Sequence, residues 1–164
     1  MKKLLAVMLL STAVATPALA EDSSFYVGAL VGNQYLGVLG GYQIDKMYSA
    51  EVSYATVLTP TVNTGFGSIK TNNSDLAADL VVMLPWKIQK VPALTFFGKG
   101  GVEYVSTRVT TTAGAISSSV STHEVKLRLG GGAQYDVSKN FSARAGVGVM
   151  GDHNDLYVSG IFKF

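Results

Sequence analysis

Few side chains in this protein could do chemistry. His123 lies beside Glu124 and two residues from Ser121, and His153 follows Asp152. Imidazole, hydroxyl and carboxylate therefore occur together, in the types that acid–base and nucleophilic catalysis employ. The spacing is that of ordinary polar residues, and these are the only 2 histidines, too few for a metal site of their own. With no cysteine in the chain, thiolate nucleophiles, disulfides and thiolate metal sites are excluded together, and no metal or other cofactor is expected. Gly98, Lys99, Gly100 and Gly101, and again Gly130, Gly131 and Gly132, are glycine-rich enough for a phosphate loop. Neither run carries the lysine–serine ending of such a loop or precedes a helical pattern. More telling are Glu51, Asp79 and Glu103 against Lys99, Lys126, Arg128 and Arg144, which stand singly among alternating apolar residues.

Alternation with a period of two is a strand whose faces meet different media. It is sharpest at the end of the chain, where Leu156, Val158, Gly160, Phe162 and Phe164 are apolar or small while Tyr157, Ser159 and Lys163 are polar. Ile161 alone breaks the pattern. Similar stretches occur at about 24–32, 36–44, 47–58, 75–84, 93–108, 121–137 and 141–149, eight strands in all with the tail. Between them lie two long polar segments, 59–74 and 109–120, expected as loops rich in Ser, Thr, Gly and Asn. A turn holding Pro85, Trp86 and Pro92 separates the fourth and fifth strands.

The start of the chain reads as an export signal: Lys2 and Lys3, an apolar run through Leu10, then Ala18, Leu19 and Ala20. Cleavage after Ala20 would leave a barrel domain over 21–164. Lys2 and Lys3 leave with the signal, so the 13 basic residues fall to match the 11 acidic ones, and nothing favours a nucleic-acid partner. No remaining segment is apolar for long enough to cross a membrane as a helix. An exported chain of this kind enters a bilayer only as a closed sheet, which satisfies its own backbone. Aromatic placement favours the bilayer over a soluble sandwich. Phe25, Tyr42, Tyr48, Phe96, Tyr135, Phe141, Phe162 and Phe164 cluster at one end of the apolar faces, with Tyr54 and Tyr104 at the other, as two interfacial girdles would.

In its eight alternating strands, in Gly40, Gly41 and Tyr42 followed by an Asp45–Lys46 turn, and in its terminal Phe164, the chain resembles the small outer-membrane barrels of the OmpA/OmpX and opacity-protein group. The resemblance covers about 25–164. It implies an all-β, eight-stranded antiparallel up-and-down transmembrane barrel in the outer membrane of a Gram-negative bacterium. It further implies that Leu156, Val158, Gly160, Phe162 and Phe164 form the assembly signal read by the outer-membrane insertion machinery. Some barrels of this size modify lipid A with histidine, serine and carboxylate at the rim, but the surroundings of His123 and His153 match no such motif.

Inside eight strands there is room only for side chains. A hairpin centred near Gly114 and Ala115 would set Glu103 across from Lys126 and diagonal to Arg128. A turn centred near Gln89 would set Asp79 level with Lys99. Glu51, Asp79, Lys99, Glu103, Lys126, Arg128 and Arg144 are thus expected to form an interior charge network, either a static plug or a gate that switches partners to pass small solutes. The expected protein is a monomeric, non-enzymatic barrel embedded among outer-membrane lipid and lipopolysaccharide. It would contribute to envelope structure, or to adhesion to a host or envelope surface ligand, through its long polar segments; a narrow channel and a lipid A-modifying enzyme are the alternatives.

Overall fold

The computed structural model describes residues 24–33, 35–57, 62–64, 67–113, 116–150 and 153–164. The export signal expected over 1–20 lies outside them. Nine strands follow in order: β1 (Phe25–Gly32), β2 (Tyr35–Gln43), β3 (Tyr48–Val57), β4 (Val62–Thr64), β5 (Gly67–Ile88), β6 (Val91–Ala113), β7 (Ile116–Asp136), β8 (Phe141–Met150) and β9 (His153–Lys163). Every pairing is antiparallel, and β1–β9 and β3–β5 close the sheet. The barrel is therefore eight-stranded, and β4 is a three-residue return on β5 outside the ring. A circuit begun at Ser74 on β5 and followed through Thr56, Leu36, Val31, Val158, Ala145, Ala133 and Phe96 returns to β5 beside Met83, about ten residues on. That stagger tilts the strands by roughly 40–45°.

The expected facing of each strand holds all the way round. Phe25, Val38, Val52, Leu80, Val102, Leu127, Val147 and Val158 are exposed on the outer surface, while Tyr26, Leu39, Glu51, Asp79, Glu103, Arg128, Arg144 and Ser159 are buried inside. Ile161 follows the rule of the inner face by packing there with Tyr26, Leu30, Leu39 and Ala55. Phe25 and Lys163 lie at the end of the barrel with the short turns 44–47, 89–90 and 137–140.

The two expected loops are corrected. Residues 67–74 and 109–120, apart from the undescribed 114–115, extend β5, β6 and β7 to 22, 23 and 21 residues against 8 to 11 in β1, β2, β3, β8 and β9. β-Branched Thr and Val suit strands. Thr107 faces Thr122, Thr110 faces Ser119 and Thr111 faces Ser118, so a polar Ser/Thr ladder continues where apolar alternation stops. At about 3.3 Å per residue and this tilt, 23 residues rise roughly 50 Å, about twice an apolar band of about 25 Å. The ribbon therefore stands far above that band. Pro85 and Trp86 likewise fall within β5, where the pairing with β6 slips between Met83 and Lys87. A proline without an N–H cannot serve a regular ladder, so the strand bulges instead of turning.

Glycines make room for inward tyrosines. A methyl group on Gly41 would fall 2.2 Å from the Tyr26 ring, and one on Gly146 would fall 2.7 Å from that of Tyr157. Gly41→Leu should destabilise the folded barrel by about 1–3 kcal/mol in urea titration, because overpacking pushes Tyr26 off its partner Glu51.

Candidate functional site

The lumen is divided into three levels. Near the short-turn end lies a vestibule of about 300 Å³ lined by Gln43, Ser49, Thr95, Asp136 and Lys163. Near the tall end lies one of about 550 Å³ lined by Asn73, Asp75, Glu103, Glu124 and Asp155. Between them the space shrinks to about 30 Å³, room for a water or two.

This waist is built from strand register and charge. Glu51 on β3 stands directly opposite Asp79 on β5, a pairing of like charges that needs bases on both sides. Arg144 from β8 donates to Glu51 Oε1 at 2.5 Å, and its other nitrogens donate to Gln134 at 3.0 and 3.2 Å. Tyr26 adds a hydroxyl bond to the same Glu51 oxygen at 2.7 Å. Asp79 takes Arg128 at 3.4 Å and Lys99 at 3.8 Å. Aromatic faces complete the layer: Arg144 lies 4.8 Å over Phe97, and Lys99 lies 4.3 Å over Tyr157. Below it, Lys163 pairs with Asp136 at 3.1 Å.

Two expected pairings are corrected. Asp79 is opposite Gly101, with Lys99 one same-face position away, because the slip between Met83 and Ile88 offsets the register beyond the turn at 89–90; Lys99 reaches Asp79 diagonally. Glu103 is opposite Lys126 as expected, yet Lys126 turns to Glu124 at 3.2 Å, where its ammonium stays near water. Arg128 is committed to Asp79. Glu103, only 3% exposed, is left outside every ion pair and side-chain hydrogen bond among the described residues.

Sequence reasoning missed Asp75, Asp155, Tyr35 and Gln134. Tyr35 donates to Asp155 from the floor of the larger vestibule. Their signal was available: Asp155 and Asp75 share the inward parity of Ser159 and Asp79. The rim constellation comes apart. Adjacent strand residues point to opposite faces, so Glu124 cannot orient His123; instead His123 stacks on Tyr104 at 5.5 Å, and Ser121 accepts from Arg108 at 3.3 Å. Asp152 lies outside the described residues.

On the outer surface, Phe25 is opposite Tyr42 with rings 4.9 Å apart, Phe141 is opposite Phe162, and Phe162 meets Phe164 edge-on at 5.5 Å. These aromatics ring the short-turn end with Tyr48, Phe96 and Tyr135, joined by Trp86, which is 68% exposed and was not foreseen. Tyr54 and Tyr104 mark the opposite level, Tyr54 facing Leu76 and Leu76 facing Tyr104 across the strands. A closed barrel with apolar sides, aromatic ends and a filled polar lumen is built for a bilayer.

Residues 4–161 match the family model described as outer membrane protein beta-barrel domain. The chain belongs to this family. It is a small barrel of the bacterial outer membrane. Comparison with curated protein sequences returned no match. Among solved structures, the N-terminal barrel of Pseudomonas aeruginosa OprF is similar at TM-score 0.60 and 15% identity, covering 86% of this chain and 98% of that one. Yersinia pestis Ail, the attachment invasion locus protein, is similar at TM-score 0.53 and 15% identity, covering 85% and 95%. Neisserial surface protein A is similar at TM-score 0.55 and 18% identity, covering 87% and 98%. Ail has also been solved in complex with the heparin analogue sucrose octasulfate. At these identities the likeness concerns the fold.

Proposed function

We propose that this outer-membrane barrel is a non-enzymatic surface protein that uses its tall β5–β7 ribbon to engage a partner outside the cell, while its filled body anchors the ribbon. The ribbon carries the reading. β8 pairs with β7 only from Arg128 onward, so, among the described residues, 116–127 have β6 on one side and no strand on the other. Ile116 and Val120 are 76% and 66% exposed there, more apolar surface than a mere spacer needs. Its bases, Lys70 and Arg108, are outnumbered by neutral Ser and Thr, so a sulfated ligand of the kind solved with Ail is a poorer fit than a neutral sugar or protein surface. In bacterial barrels the short turns face the periplasm, which puts the ribbon outside.

The test is a pull-down of envelope and host-surface material with the folded barrel and with a form in which β5–β7 are cut back to the length of β8. Binding should be lost while the trimmed barrel still shows the heat-dependent gel shift of a folded one. Retention of all binding by the trimmed form would end this reading. The gate alternative meets the 30 Å³ waist and the ion pairs that tie five strands, β3, β5, β6, β7 and β8, across it. Planar bilayers holding the purified protein should show no steady conductance steps; steps in the unmodified protein, raised by Arg128→Ala, would favour a gate instead.

A further inference from the structure

The vestibule at the tall end gathers negative charge that its own surroundings compensate only in part. Asp75, Glu103 and Asp155 line it, and the Lys126 ammonium beside them is taken up by Glu124 at the rim. Arg128 acts on both Asp75 and Glu103, and Lys126 on Asp75, but Arg128 is ion-paired with Asp79 at 3.4 Å in the waist below. Glu103 is 97% buried, as its 3% exposure shows, and has no ion-pair or hydrogen-bond partner among the described residues. Further unpartnered oxygens are buried around it: Asp75 Oδ1, Asp155 Oδ1 and the amide Oδ1 of Asn73. All are acceptors. Waters could donate to them, but waters do not neutralise charge, and a carboxylate held out of bulk solvent without a counter-charge is costly.

We propose that this vestibule is a binding site for a hydrated divalent cation. Three carboxylates offset in part by the shared Arg128 leave close to two negative charges, which matches such an ion. No three acidic or imidazole groups among the described residues converge tightly enough to ligate a bare metal. The ion is therefore held through its own water shell, whose protons point outward at the orphaned oxygens. Mg²⁺ suits this arrangement because it gives up its waters reluctantly. A chamber of about 550 Å³ has room for an ion with its first shell. The site differs from the ion-paired waist and does not depend on what the ribbon binds.

The probes are Mg²⁺ and hexaamminecobalt(III), an octahedral cation of similar size whose ligands do not exchange, titrated at constant ionic strength into the isotope-labelled folded protein in uncharged micelles. Amide signals near 73–77, 103–107 and 154–157 should shift saturably with one equivalent, and hexaamminecobalt(III) should displace Mg²⁺. Glu103→Gln should weaken binding about tenfold or more, whereas Asp136→Asn, in the vestibule at the short-turn end of the lumen, should change it less than about threefold. If Glu103→Gln fails to show the gel shift of a folded barrel, Asp155→Asn carries the same expectation. The proposal falls if no saturable shift appears, if K⁺ at equal ionic strength reproduces it, or if affinity survives the loss of a floor carboxylate. Binding of 1,4-diaminobutane with none of hexaamminecobalt(III) would also overturn it in favour of an organic amine.

Discussion

Arg144→Ala is expected to destabilise the folded barrel by about 3–5 kcal/mol, the usual cost of removing one partner of a buried ion pair. The effect is large here because of what stays behind. Glu51 would still face Asp79 across β3 and β5, with only the Tyr26 hydroxyl on its charge, and Gln134 would lose both its guanidinium bonds. Urea titration of the protein in lipid vesicles, followed by tryptophan fluorescence from Trp86, measures it directly. A double variant, Glu51→Gln with Arg144→Met, should recover most of the loss, since neither side then holds an unpaired charge. A single-variant loss under about 1 kcal/mol would mean that the waist is freely solvated and not a tight ion-paired layer.

Deletion of Phe164 is expected to cut the amount of folded protein in the outer membrane several-fold while leaving the melting of whatever folds nearly unchanged. The terminal residue contributes little to the finished barrel: one backbone bond to the Phe25 carbonyl at 3.3 Å and an edge contact with Phe162. A large assembly defect with a small stability defect would identify Phe164, with Phe162, Gly160, Val158 and Leu156, as a signal read during insertion. Equal losses in both would make it an ordinary interfacial aromatic. Quantitative blotting of membrane fractions, beside unfolding of the purified variant, separates the two.

Which face each residue occupies was legible in the sequence because a period of two leaves no freedom once one face must meet lipid. Val52 and Glu51, or Leu127 and Arg128, could not exchange roles. The β6–β7 register was legible too, since Ser/Thr-rich flanks mirror each other about residues 114–115. What failed had identifiable causes. Thr110, Thr111 and Ser118 carry no apolar alternation, so a ladder of hydroxyl pairs looked like a loop. Pro85 resembled a turn because a bulge and a turn use the same missing N–H. The pairing of Lys126 depended on how near each carboxylate lay to water, which strand register does not reveal; that decided Glu124 over Glu103. Gln134 was hidden for another reason, being an uncharged residue whose importance lies wholly in the arginine it holds.

The proposed role requires the ribbon to stand outside the cell, above a barrel whose short turns face the periplasm. Because the chain has no cysteine, single cysteines report cleanly on each side. Ser118→Cys lies on exposed β7 of the ribbon and Lys139→Cys in the exposed turn between β7 and β8. Intact cells treated with a membrane-impermeant maleimide should label Ser118→Cys strongly and Lys139→Cys only after the outer membrane is opened. Labelling of Lys139→Cys in intact cells, with Ser118→Cys protected, would contradict the orientation and with it the proposed role of the ribbon.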